Sequence, residues 1–103
     1  MALKRYNIKI IDSAQVDLDN IYRYITYKLM EPEIAEKVIE RIEKGILSLD
    51  TFPYRCREIM TVLDGVKYRK LIIENYVVLY KVNEEIREVR IDRVIHERMN
   101  YLK

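Results

Sequence analysis

Glycine and proline are scarce in this chain, two of each in 103 residues, which excludes a low-complexity or collagen-like polymer. Cysteine occurs once, at Cys56, so no intramolecular disulfide can form and a reducing, cytoplasmic setting is expected. Histidine also occurs once, at His96. With no Cys-x-x-Cys pair, no histidine cluster and no glycine-rich phosphate loop, neither a metal nor a nucleotide cofactor is expected. No apolar run approaches the ~18 residues of a membrane span. Nothing resembling a secretory signal follows Met1-Ala-Leu-Lys-Arg-Tyr-Asn7, so no membrane association is expected.

What is present fits a single domain over residues 1–103. Half the residues are hydrophobic, nine of them tyrosine, enough for one small core. Charged residues make up 35% of the chain and nearly cancel, for a net charge of +2. Residues 1–53 carry 8 Lys/Arg against 9 Asp/Glu, and residues 54–103 carry 11 against 8. The basic excess of the second half favours an anionic partner there without requiring one.

Tyr6-Asn-Ile8-Lys-Ile10 alternates as a strand does. Asp12 and Ser13 can cap the helix that follows, expected over residues 13–30. Ala14, Leu18, Ile21, Tyr22, Ile25 and Leu29 share its apolar stripe, and Gln15, Asp17, Asp19, Arg23 and Thr26 lie mostly opposite. Glu31-Pro32-Glu33 suits the first turn of a second helix, with Ala35, Val38, Ile42, Ile46 and Leu49 on its inner face. Gly45 within it costs about 1 kcal/mol relative to alanine, and the expected return is close approach of the two helices. Pro53 ends the helix, and residues 53–64 read as a loop with Tyr54-Arg-Cys-Arg57 as its basic part.

Three strands follow, over Lys67–Ile73, Tyr76–Val82 and Val89–Ile95, separated by tight turns at Glu74-Asn75 and Asn83-Glu84-Glu85. Met99–Leu102 suits a short final helical turn. The order β-α-α-β-β-β predicts a two-layer α+β domain, with a helical hairpin packed on a mainly antiparallel four-stranded sheet. The other sheet face is then open to solvent or a partner.

Two constellations could carry chemistry. His96, Glu97, Arg98 and Tyr101 cluster at the end of the last strand. Metal-free RNA cleavage needs an acid, a base and cations on the phosphate, and these residue types can supply them. The plainer reading is a histidine packed at a strand end. Arg69, Lys70, Lys81, Arg90 and Arg93 come from three neighbouring strands and could contact phosphates. The plainer reading is mixed charge on a solvated sheet. By parity Lys67 and Arg69 share a face, as do Arg90 and Asp92, and Arg93 falls with Val89, Ile91 and Ile95 unless a bulge intervenes. Tyr22, Tyr24, Tyr27, Tyr76 and Tyr80 could stack on bases, but packing is the commoner use of tyrosine.

The whole chain resembles the RelE/ParE toxins of bacterial type II toxin–antitoxin modules. The carriers are Ala14-Gln-Val-Asp17-Leu18-Asp-Asn-Ile21-Tyr-Arg-Tyr24, Leu49-Asp-Thr-Phe52-Pro53, Tyr68-Arg-Lys-Leu71, Asn75-Tyr-Val-Val-Leu-Tyr80-Lys-Val82 and Arg93-Val-Ile-His96-Glu-Arg98-Met-Asn-Tyr101. The family's layout is the β-α-α-β-β-β read above. The resemblance implies a cognate antitoxin as partner, wrapped over the toxin's groove, and leaves open a homodimer or a toxin–antitoxin hetero-oligomer. It implies one of two targets, ribosome-bound mRNA cut by the RelE-like branch or DNA gyrase inhibited by the ParE-like branch. RelE-like members place an arginine just after the aromatic that opens the strand corresponding to Tyr76–Tyr80; here that position is Val77. This departure, with the wording around Tyr68-Arg-Lys and Arg93-Val-Ile-His, favours the ParE-like branch. In a RelE-like reading the resemblance would give Arg69 and Arg98 the phosphate, His96 proton transfer, and Tyr101 stacking or assistance. A non-toxic binding module of the same fold is the third reading.

Overall fold

The structure, a computed structural model, describes residues 5–61 and 65–99. The chain runs β1 (Asn7–Ile10), α1 (Asp12–Arg23), a π-helical turn (Tyr24–Lys28), α2 (Pro32–Leu47), two 3₁₀ turns (Ser48–Asp50 and Pro53–Arg55), β2 (Glu58–Met60), β3 (Lys67–Ile73), β4 (Tyr76–Asn83) and β5 (Glu88–His96). The strands form one sheet in the order β1-β5-β4-β3-β2, antiparallel except for the parallel pair β1–β5. This is the expected α+β architecture with one strand more than the four read from the sequence. The extra strand, β2, lies in the stretch read as a loop. It buries only Ile59, between exposed Glu58 and Met60, so it shows too little apolar alternation to announce itself. Residues 100–102 of the expected C-terminal turn, Tyr101 among them, lie outside the described residues.

Both helices pack on one face of the sheet. Ala14 and Leu18 from α1 and Ile42, Ile46 and Leu49 from the second helical arm meet Val78, Tyr80, Val89, Ile91 and Val94. The first helix does not stay α-helical to residue 30. It widens to a π-turn at Tyr24, and the chain then reverses through Met30 at φ 57° before Pro32 opens α2. Nor do Asp12 and Ser13 cap α1, since Ile11 occupies the N-cap with no side-chain bond. The Ser13 hydroxyl donates instead to the carbonyl of Asp92, at 2.7 Å. Gly45 also has a different purpose from the one expected. A Cβ there would lie 2.3 Å from Ile73 Cδ1, so the glycine admits β3 against α2 rather than helix against helix.

The other sheet face is not bare. Ile59, Tyr68, Val77, Leu79 and Ile95 form a second, smaller buried cluster on it. Arg93 and Ile95 reach this face because β5 carries a bulge. Leu79 pairs with Arg93 and Tyr80 with Ile91, leaving Asp92 as the unpaired extra residue. Before the bulge, odd-numbered Val89 and Ile91 enter the main core; after it, even-numbered Val94 does. The parity expected to group Arg93 with Val89 and Ile91 therefore fails at this residue.

Strand β1 covers the edge of β5 only as far as Ile91. Beyond it, α1 completes the edge with side chains. Asp17 accepts the Val94 N–H at 2.8 Å and two N–H groups of Arg93 at 2.7 and 3.1 Å. Its carboxylate thus substitutes for the missing carbonyls of a strand and pairs with a cation at the same time.

Two expectations follow. Asp17→Ala leaves a strand N–H and a half-buried guanidinium without their acceptor, and should cost about 2–3 kcal/mol in denaturant unfolding. Gly45→Ala should fail to deliver its ~1 kcal/mol of helix propensity. In an Ile73→Val background, which lacks Cδ1, that gain should reappear as a coupling in a double-mutant cycle.

Candidate functional site

The polar residues of the sheet fall into three groups, set by strand register. On the second face, Lys70 and Arg93 flank Leu79, and Lys81 stands opposite Arg90. Four of the five residues read as a basic strip therefore share a face. Arg93 is tied to Asp17, and Arg90 makes two bonds to Asp92, at 2.6 and 2.8 Å. The bond from Asp92, a carboxylate only 6% exposed, raises the pKa of the Arg90 guanidinium, against a smaller opposing effect of burial. The Lys81 ammonium sits 5.2 Å above the Tyr68 ring, its stem lying along the apolar cluster.

Arg69, the fifth, faces the other way. It lies opposite Tyr80 on the helical side, beyond the reach of the helices, where the Pro53–Arg55 turn covers the sheet. Its Nη1 donates to the Cys56 carbonyl at 2.6 Å, and its guanidinium lies 4.9 Å from the centre of the Tyr54 ring. The turn is itself anchored. Arg55 donates to the carbonyls of Ser48, Thr51 and Phe52, where the second helical arm ends. The Tyr80 hydroxyl donates to the Pro53 carbonyl at 2.6 Å. The basic Tyr54-Arg-Cys-Arg57 stretch is thus partly structural.

Tyr54, Glu58, Lys67, Arg69 and Lys81 line a groove of about 260 Å³. Next to it, sharing Lys81, lies a groove of about 510 Å³ bordered by Glu84, Glu85, Glu88 and Arg90. Glu84 ties the two together, accepting the hydroxyls of Tyr6 and Tyr54 at 2.7 and 2.9 Å. Those bonds push both phenols up from their ordinary pKa. The sequence reading missed this cluster, because Tyr54 enters it from a loop. One signal was legible, the shared parity of Lys67 and Arg69.

His96 and Arg98 occupy the far end. His96 pairs with Tyr76 at the end of β5, the two rings edge to face with centroids 5.4 Å apart. Its Nδ1 accepts the Arg98 backbone N–H at 3.1 Å. Arg69 pairs with Tyr80 and His96 with Tyr76, so four residue steps along β4 separate them. At about 3.3 Å per residue that is roughly 13 Å along the strand. The structure brings His96 and Arg98 together and keeps Arg69 apart from them. Val77 is buried on the second face, opposite Ile95. Of the tyrosines considered for stacking, Tyr80 is wholly buried, whereas Tyr24 and Tyr27 are exposed. Among the described residues no group of three His, Cys, Asp or Glu could hold a metal ion, and no helix is long and apolar enough to cross a membrane.

Residues 8–101 match the family of the ParE toxin of type II toxin–antitoxin systems, parDE. Among solved structures, the chain is similar to one from the chromosomal ParDE system of P. aeruginosa, with a TM-score of 0.72 and 23% identity over 90% of this chain and 97% of that one. It is also similar to one from the toxin–antitoxin complex RelBE2 of Mycobacterium tuberculosis, with a TM-score of 0.61 and 21% identity over 92% and 94%. At such identities the likeness is one of fold, and it spans systems of both names. No curated protein matches the sequence.

Burial, and then the neighbouring Cys56, push the Tyr80 phenol well above its ordinary range. A raised folded-state value means the neutral phenol stabilises the fold below pH ~10, and that this stability is lost as pH climbs further. Urea midpoints should therefore fall above pH ~10. Tyr80→Phe should flatten that fall while costing about 1 kcal/mol at neutral pH for the lost hydrogen bond.

Proposed function

Because the chain belongs to the ParE toxin family of type II toxin–antitoxin systems, we propose that it arrests growth by inhibiting DNA gyrase and is held inactive by a cognate antitoxin. The observation that carries the choice of target is the separation of Arg69 from His96 and Arg98 along β4. Phosphodiester cleavage by side chains needs acid, base and cation within hydrogen-bond reach of one phosphate. Here the histidine is edge-on to Tyr76, with one ring nitrogen already accepting a backbone N–H. Val77, where an additional cation would serve RNA, is apolar and buried. A net charge of +2 also suits a grip on a protein target better than a grip on bulk RNA, whose binding depends on many phosphate contacts.

Inducible expression in a bacterium should produce a DNA-damage response with stalled gyrase and intact mRNA. With purified protein, the double substitution His96→Ala, Arg98→Ala should leave gyrase inhibition within about twofold of wild type. A rapid stop in translation with mRNA cut inside codons, lost by roughly 100-fold or more in that variant, would instead establish a ribosome-dependent nuclease. Unaltered growth on expression of the lone chain would favour a non-toxic binding module.

A further inference from the structure

Among the described residues, four other than glycine have positive φ: Met30, Phe52, Glu74 and Arg87. Glycine adopts that conformation freely, and a larger residue is strained by it. Two of the four side chains are used by the fold. Glu74 pairs with Arg41, and Arg87 pairs with Glu84 and lies over the Tyr6 ring. Met30 and Phe52 are apolar and point the other way, 81% and 68% exposed.

Met30 follows Leu29, the last residue of the first helical arm. The next N–H, that of Glu31, donates to the Ile25 carbonyl at 3.0 Å and closes the helix end. Such a reversal calls for a left-handed residue, and glycine is the usual one. Nothing in it calls for methionine. Other apolar side chains are left open nearby: Tyr27 is 75% exposed, and Leu29 and Ile34 are also exposed. Met30 and Ile34 line one groove of about 320 Å³, together with Glu31, Pro32 and Glu33. Exposed apolar side chains gathered around a strained residue mark a contact surface.

Charge narrows the choice of occupant. Residues 23–34 carry Arg23 and Lys28 against Glu31 and Glu33, for no net charge. None of the four forms an ion pair with a described residue. A nucleic acid needs an excess of cations, which this end of the hairpin lacks. An anionic lipid surface would be repelled by the two carboxylates beside Met30. A surface holding both signs in equal number can complement itself, because a twofold axis can set the cations of one copy against the carboxylates of the other. Phe52 has no such companions: Arg5 pairs with Asp50, and Arg55 donates to the carbonyls of its own turn.

We propose that the end of the helical hairpin, from Tyr27 to Ile34, is a self-association surface. A second copy of this chain docks there about a twofold axis, with Met30 as the apolar anchor. The inference goes beyond the gyrase reading and does not depend on it.

The test is sedimentation of the purified full chain over a range of protein and salt concentrations. Wild type should pass from monomer to dimer as its concentration rises, and added salt should favour the monomer. Met30→Leu should keep the dimer. Met30→Gly should weaken it roughly tenfold or more. Its urea midpoint, taken where both proteins are monomeric, should nevertheless rise, because the strain is gone. Ile34→Gln leaves the reversal untouched and should weaken the dimer without that rise. A chain that stays monomeric at every concentration would overturn the proposal. So would a dimer that Met30→Gly and Ile34→Gln leave intact, since its interface would lie elsewhere. A Met30→Gly midpoint at or below that of wild type would overturn the argument from strain. Gyrase inhibition is measured separately, so either reading can fail alone.

Discussion

Asp17 accepts three hydrogen bonds from a strand it does not belong to, and the sheet depends on that clasp. β5 has partners on both sides for its first half, then loses β1 just where Asp92 is inserted as an extra residue. A bulge next to an exposed strand edge would leave N–H groups of a central strand without acceptors. Ser13 and Asp17, one turn apart on α1, reach over and close that edge. The same contact fixes where α1 lies on the sheet and therefore where the main core forms. The bulge then divides β5 into halves of opposite parity. Val94 fills the helical side, while Arg93 and Ile95 supply the second face with a charge and an apolar side chain.

Charge on this protein is best understood by asking which cations already have partners. The pairs Arg90–Asp92 and Arg93–Asp17 are half-buried parts of the sheet's construction, and a ligand would have to compete with carboxylates already in place. A count of Lys and Arg on the second face overstates its attraction for phosphate. The groove beneath Tyr54 has fewer cations, and two of them, Lys67 and Arg69, are positioned by the backbone register of β3, with Glu58 opposite Arg69. Position and pairing, more than number, set what each surface can bind.

Much of the fold was legible in the sequence because the deciding residues are periodic. The bounds of β3 and the start of β4 follow from alternation and a two-residue turn, and both helices follow from their apolar stripes. The family resemblance agrees with the sequence family that spans residues 8–101. What was not legible depends on contacts distant in sequence. Nothing in Val89–His96 marks which residue is the extra one. Asp17 reads as one more polar residue on a solvent face, because its partners lie 76 and 77 positions away. Gly45 announces a close approach but not to what. For the candidate site, strand parity put Lys67 beside Arg69, whereas the closing of their groove by Tyr54 depends on a turn held by Tyr80 and Arg55 from elsewhere in the fold. His96 and Arg98 are neighbours in sequence and in space, but their distance from Arg69 becomes visible only once β4 lies between them.

The parallel pairing of β1 with β5 also governs timing. Asn7–Ile10 can pair only once Glu88–Ile91, 81 positions further along the chain, has been made. Until then the first strand has no neighbour, and the helices made after it have only a partial sheet to pack on. Contacts of such sequence separation slow folding, and at ~5–20 residues per second synthesis itself adds seconds. A chain closed in this way cannot present a finished surface until Glu88–Ile91 has been made, so any partner of the completed fold must wait for that strand.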